Sequence, residues 1–270
     1  MAIITISRGS YSRGKEVAEK VAAKLGYRCL SREVILDASD RYHIPEIKLV
    51  KAIHDAPSIL ERIGRSKQAF IAYYQSALTR AVQEDNVVYH GLAGHLLLRG
   101  IPHVLKVRII ADIDDRVSNE MKREGVEEQE ALAIILRNDQ ERRNWTRSLY
   151  GADPWDSSLY DLVIHICKFT VSNAVDLIHR AALMEQFKAS RESRQRMDDL
   201  ALASQVKASL VDICNDIAVL SEYGNVLIYT KADDRFLRRL AEKTRTLHGE
   251  IRGINHIELH PGVPAPPNAV

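Results

Sequence analysis

Ile3-Ile4-Thr5-Ile6-Ser7-Arg8-Gly9-Ser10-Tyr11-Ser12-Arg13-Gly14-Lys15-Glu16-Val17 is the stretch whose reading decides the fold. Residues 2–7 form an isoleucine-rich run bounded by Arg8-Gly9-Ser10, the pattern of a buried strand. From Glu16 the period changes. Val17, Val21 and Leu25 recur at helical spacing, and Gly26 follows where a helix C-cap belongs. Strand, glycine-bearing turn and helix in this order open a βαβ unit. Gly9 to Lys15 also fits the first seven positions of G-x-x-x-x-G-K-[ST]. In such a loop, backbone N–H groups at a helix N-terminus point at phosphate oxygens, and the lysine reaches the terminal phosphates. Ser12, Arg13, Gly14 and Lys15 are therefore the expected phosphate contacts, with Arg8 adding charge. Two details depart from the motif. Glu16 stands where a hydroxyl would hold Mg²⁺, and Gly9 comes one residue late after the strand. The alternative is a strand-to-helix turn that needs glycine only for its geometry.

Outward from this stretch, strand-like and helical patterns alternate. Strands are expected at 86–89, 104–111 and 162–166, with helical, charged stretches at 32–83 and 114–149. The first of these helical stretches is broken at Pro45 and near Asp55-Ala56-Pro57. Alternation of this kind predicts an α/β fold with a mostly parallel sheet and helices on both faces. A length of 270 residues allows one large domain plus a small one, and a net charge of +2 gives no reason for bulk attraction to nucleic acid or membrane. Cys29, Cys167 and Cys214 form no CxxC pair, so reduced core thiols are expected, with neither a disulfide framework nor a zinc site. No metal-binding cluster is predicted. His90 and His95 are read as polar loop residues, because HxxxxH is not a usual metal pair. With no secretory pattern and no apolar run of about 20 residues, the expected location is the cytoplasm.

The C-terminal third restarts the pattern. A very polar run from Lys188 to Asp199 reads as a solvated helical connector. After it, Leu200, Ala203, Val206, Leu210 and Ile213 share a helical face, two strand-like runs flank Glu222-Tyr223-Gly224-Asn225, and a helix and a last strand follow. The expected organisation is a first domain over 1–185, a connector over 186–197, a small α-β-β-α-β domain over 198–262, and a proline-rich disordered tail over 263–270.

Several pieces resemble the cytidylate kinase-like family, a divergent branch of the P-loop nucleoside monophosphate kinases. They are the opening Ile3-to-Ser7 strand with Leu25-Gly26-Tyr27, then Val87-Val88-Tyr89-His90-Gly91, Val107-Arg108-Ile109-Ile110-Ala111, Asp139-Gln140-Glu141-Arg142 and Tyr160-Asp161-Leu162-Val163-Ile164. The resemblance covers about residues 2–185. It implies a P-loop kinase fold and transfer of the ATP γ-phosphoryl, with Mg²⁺, to a nucleotide such as CMP or dCMP. By position it makes Lys15, Arg137 and Arg142 catalytic, Arg137, Asp139, Arg142 and Arg143 the lid, and Arg32 and Gly91 acceptor contacts. Without it, Asp139 and Arg143 read as an ordinary i,i+4 pair on a solvated helix. Several positions depart from the family pattern. Tyr11 and Arg13 replace loop glycines, Leu92 replaces an acceptor-side arginine, Ala93 a carboxylate, and Ser31 an acidic residue. The alternative function is a nucleotide-binding regulator without turnover. Val206 to Leu210, Gly224-Asn225-Val226 and Gly253 to Ile257 resemble a BON domain, which implies a docking module for a membrane or protein partner and no chemistry of its own; the alternative is a generic α/β dimerisation module, and the near-neutral charge leaves no nucleic-acid partner expected.

Overall fold

The computed structural model describes residues 2–31, 33–43 and 67–270. In chain order its longer helices are α1 (Gly14–Leu25), α2 (Glu33–Tyr42), α3 (Lys67–Val82), α4 (Gly94–Leu97), α5 (Ile113–Glu124), α6 (Glu128–Tyr150), α7 (Val171–Ala182), α8 (Arg191–Leu210) and α9 (Asp234–Glu250). Its strands are β1 (Ile3–Arg8), β2 (Arg28–Leu30), β3 (Val87–Tyr89), β4 (Val104–Ala111), β5 (Leu162–Ile166), β6 (Ile217–Glu222), β7 (Asn225–Thr230) and β8 (His256–Pro261). The chain divides into two units. Among the described residues the first holds 2–31, 33 and 84–189, and the second holds 34–43, 67–83 and 190–270.

In the first unit, β1 sits at the centre of a five-stranded parallel sheet of order β2-β3-β1-β4-β5. Successive side chains on a strand face opposite sides. Ile4 and Ile6 therefore join Val88, Leu105, Val107, Ile109 and Ile164 on one face, packed against Val17 and Val21 of α1 and Val175 and Ile178 of α7. Ile4 is fully buried, and cutting it to alanine would cost about 2–5 kcal/mol. The same alternation puts Thr5 and Ser7 on the opposite face, where Ser7 pairs in register with Arg108 of β4. This face, next to α4, is markedly polar near the C-terminal ends of the strands. Gly26 ends α1 in the left-handed conformation, as its position in the sequence predicts. The three-residue strand β2, only partly buried, is too short for its periodicity to show in sequence.

The second unit is built on a three-stranded sheet of order β6-β7-β8. β6 and β7 are antiparallel, joined by Tyr223-Gly224, both at positive φ, and β8 returns parallel to β7 after α9. The α-β-β-α-β order read from the sequence is therefore present. Three features, the last of them the tail read as disordered, differ from the expected organisation. The run read as a connector is the first half of α8, opened by a Ser190–Ser193 capping box, with Ser193 and Met197 buried. Only the row Ser193, Met197, Ala201 faces inward over these turns, so the composition looks polar although the helix is packed. Also, α3 is buried without a break from Ala72 to Thr79 and packs against α8, so it groups with the C-terminal residues and not with 1–185. In the tail, Val270 exchanges two N–H···O bonds of 2.9 Å with Val219 on the open edge of β6. Pro45 and Asp55-Ala56-Pro57 lie outside the described residues.

Candidate active site

The Gly9–Lys15 loop joins β1 to α1 at the C-terminal end of the central strand. Gly14 is needed there: a Cβ would lie 2.6 Å from Cβ of Arg8, so only glycine lets the helix start pass over the strand end. Tyr11 and Arg13 take φ of 59° and 61°. Left-handed conformation costs a non-glycine residue about 1–2 kcal/mol each, so the loop keeps its shape where the family's glycines are absent. Ser12 fixes it from inside, its hydroxyl donating to the carbonyls of Gly9 (3.0 Å) and Ile109 (3.2 Å). Ser10 Oγ is buried and has no partner among the described residues.

The helices after β4 close over this loop. Tyr11 packs with Val117, Ala131 and Ile135, and Arg123 lies over its ring at 5.2 Å. Burial, then a hydrogen bond to Glu120, pushes the Tyr11 hydroxyl pKa up. Asp139 on α6 accepts from the Ser10 backbone N–H (3.1 Å) and from Arg116 (2.6 Å), while Arg116 Nε donates to the Ser10 carbonyl (2.7 Å). Arg142 reaches inward to the Arg8 carbonyl at 3.5 Å. Burial pulls the pKa of Arg142 down, with Asp139 acting in the opposite sense, and Arg8 is lowered by burial and then by Arg142. Two guanidinium groups close together beside a set of helix N-terminal amides make a strongly electropositive spot.

The other expected site residues fall as follows. Lys15 is exposed and 3.7 Å from Glu19, and Arg13 is exposed on the loop. Glu16 pairs with Lys20 at 2.7 Å. Arg137 lies on the solvent side of α6, 3.9 Å from Glu141. Asp139 and Arg143 do not pair with each other. Arg143 forms a double bond set to Asp153 (3.1 and 2.6 Å) and stacks over Trp155 at 4.0 Å, which holds the Asp153 carboxyl far below its usual range. Arg32 lies outside the described residues. Gly91 begins a turn wrapped around Tyr89: a Cβ on Gly91 would come within 2.2 Å of the Tyr89 hydroxyl and one on Gly94 within 2.6 Å of its ring, and that hydroxyl donates to the Leu92 carbonyl. His90 and His95 are buried and not loop-exposed, because the turn folds back onto the polar face of the sheet. Sequence reading missed Arg116, whose role depends on a contact 106 residues away, and it missed the burial of both histidines.

A cytidylate kinase of Sulfolobus acidocaldarius is 26% identical over 176 residues, covering 65% of this chain and 91% of that protein. A cytidylate kinase of Methanosarcina acetivorans is 33% identical over 100 residues, covering 37% of this chain and only 55% of its own length. An uncharacterized protein from Eubacterium ventriosum superposes with a TM-score of 0.52 at 24% identity, covering 67% of this chain and 98% of that one, a likeness of fold. The model of the cytidylate kinase-like family matches residues 3–168, more than half of the sequence, and the chain belongs to that family.

Proposed function

We propose that this chain is a nucleoside monophosphate kinase-like phosphotransferase, moving the γ-phosphoryl of ATP to a small phosphorylated acceptor such as CMP or dCMP. The observation that carries the reading is Arg142, an inward lid guanidinium held at the carbonyl of Arg8 directly before the phosphate loop. Phosphoryl transfer needs little from a protein beyond positioning and charge stabilisation. The amides from Ser12 to Lys15 would bind the donor phosphates, and Arg142 would meet the charge that develops on the transferred group. Lys15, flexible and exposed, would swing from Glu19 to the terminal phosphates.

The loop fits phosphates. It provides no hydroxyl at position 16, and no cluster of three or more His, Cys, Asp or Glu suited to a metal occurs among the described residues. In this reading Mg²⁺ supplies charge neutralisation as part of the bound Mg-ATP. No helix among the described residues is long and apolar enough to cross a membrane, which accords with action in the cytoplasm. The second unit would act as a docking module of BON type.

A second reading, a nucleotide-binding regulator without turnover, is favoured by Glu16 and by the pairing of Lys15 away from the loop. ADP release from ATP against a panel of nucleoside monophosphates, with thermal shift by ATP alone, separates the two. Turnover with one acceptor supports the kinase; stabilisation by ATP with no acceptor-dependent ADP supports the regulator; neither effect overturns both.

A further inference from the structure

The polar face of the first sheet holds a group that the phosphate loop does not use. Arg108 on β4 is only 9% exposed, and among the described residues no carboxylate pairs with it. Its one hydrogen bond runs to the Tyr160 hydroxyl at 3.4 Å, whose ring also lies 5.6 Å from the guanidinium carbon. Tyr160 is already engaged. Its hydroxyl donates to the Pro154 carbonyl (2.9 Å) and stands 3.2 Å from both Ser7 Oγ and His95 Nε2. His95 cannot balance the charge of Arg108, since an imidazole carries none or adds to it. Two more groups near the same strand ends lack partners among the described residues: Thr5 Oγ1, two residues before Ser7 on the same face, and His90 Nδ1 just after β3.

A largely buried guanidinium with no carboxylate partner among the described residues and a single long hydrogen bond to a tyrosine has donor capacity left for an anion. His95 lies on α4, directly after the Gly91-Leu92-Ala93 turn, and through Tyr160 it ties that turn to Arg108. That turn carries Leu92, which offers no charge of its own. We infer that Arg108, on β4 and separated from β3 by the central strand β1, binds an oxyanion of the acceptor. The phosphate of the proposed acceptor is thereby assigned to Arg108, and a neutral nucleoside would leave it unmet. This inference rests on the kinase reading above for the word acceptor, but the anion site itself does not.

The test compares the wild-type chain with Arg108→Met and Arg108→Lys. If Arg108 binds an anion, removing an uncompensated buried charge leaves the unliganded Arg108→Met protein as stable as wild type or more so, while a structural arginine would lower its Tm. With turnover established, the acceptor KM rises at least tenfold in Arg108→Met, recovers partly in Arg108→Lys, and the ATP KM stays unchanged. CMP, and not cytidine, stabilises the wild type, and Arg108→Met abolishes that difference. Unchanged acceptor KM with turnover intact overturns the inference and leaves the kinase reading standing. Should no nucleoside monophosphate support turnover, inorganic phosphate is the probe, read against Lys15→Ala. A phosphate-induced Tm rise that survives Lys15→Ala and is lost in Arg108→Met sustains the anion site without the kinase; equal rises in wild type and Arg108→Met overturn it. A lower unliganded Tm in both Arg108 variants, with acceptor and phosphate effects unchanged, also overturns it.

Discussion

The Gly9–Lys15 loop and the His90–Gly94 turn follow neighbouring strands, yet they are built in opposite ways. In the loop, the backbone of Arg8 and Ser10 is held by side chains of α5 and α6, and the cations at its tip, Arg13 and Lys15, stand in solvent. In the turn, two glycines close the backbone onto one tyrosine, and the histidine side chains are buried, with His90 Nδ1 left without a partner among the described residues. An exposed cation is cheap to maintain and can move to its ligand. A buried unmet donor is costly, and its cost is relieved only when the ligand is present. In this family member the donor side is thus expected to work by rearrangement and the acceptor side by a fixed template.

The largest expected effect tests the inward and outward lid arginines against each other. Arg142→Ala should lower kcat about 10²–10³-fold with a smaller change in the ATP KM, the size expected when one charge-stabilising group is removed. Arg137→Ala, on the solvent side of the same helix, should leave kcat within about twofold. Steady-state kinetics with a working acceptor decides this. Equal losses at both positions would erase the distinction between the two faces of α6.

Next is a pH effect that belongs to the turn side. Burial, then the charges of Arg108 and Lys106, pushes the His95 pKa down to about 3. The unfolded chain takes up a proton at about pH 6.5 that the folded chain refuses. Stability is therefore complete above pH 6.5 and is lost as pH falls toward 3, by about 2 kcal/mol at pH 5 from this group alone. Urea melts at pH 7.5 and 5 should show a smaller acid loss in His95→Gln than in wild type. Identical losses would mean that His95 charges freely in the folded protein.

A purely steric change comes third. Gly94→Ala puts a methyl 2.6 Å from Cδ1 of Tyr89, which is itself 1% exposed, and 3.1 Å from Thr5 Cγ2. Overpacking of this kind costs about 1–3 kcal/mol. Thermal melts of Gly94→Ala and Gly94→Ala/Tyr89→Leu would show the second change restoring part of the loss. If Gly94→Ala melts with wild type, the ring is not what fixes the turn.

The loop and the turn also differ in how far they could be read from sequence. The strand-loop-helix opening was legible because its signals are local: β-branched residues, a helical row of valines, and a glycine at each end. The inward position of Arg142 was not legible in sequence, since Arg137, Arg142 and Arg143 look alike along a charged helix and the family resemblance names all three alike as lid residues. Which of them faces the loop depends on how α6 is rotated about its axis, which Ala131, Ile135 and Tyr11 settle through packing across more than 100 residues of chain. The charge of Arg108 was hidden for a different reason. A single arginine in a strand reads as an edge or surface residue, and nothing local says that β4 lies between two other strands. The grouping of α3 was hidden because its buried surface meets α8, more than 100 residues further on. Its row of alanines and aromatics marks a buried helix but not its partner.

The smallest expected effect lies at Glu16, and it asks whether the donor side really works by rearrangement. Glu16 sits in the first turn of α1, where a carboxylate is favoured by the helix dipole, and it pairs with Lys20 across one turn at 2.7 Å with both side chains about half exposed. Exposed pairs of this kind are worth about 0.3–0.5 kcal/mol, so Glu16→Ser should barely move the Tm. Its effect on ligand binding should be the reverse of a loss. The substitution removes a negative charge from beside the donor phosphates and restores a hydroxyl at the position where the loop motif places one for Mg²⁺. We expect Mg-ATP to bind a few-fold more tightly, while affinity for ATP without Mg²⁺ improves less. The comparison is an isothermal titration of both ligands with wild type and Glu16→Ser. If Mg-ATP binds more weakly to Glu16→Ser, the carboxylate itself helps to hold the metal and position 16 already serves the donor. If both ligands gain equally, only repulsion has been relieved and the hydroxyl adds nothing. A gain confined to Mg-ATP would show that this loop, although strained at Tyr11 and Arg13, still presents its helix start to phosphate in the geometry that the motif requires.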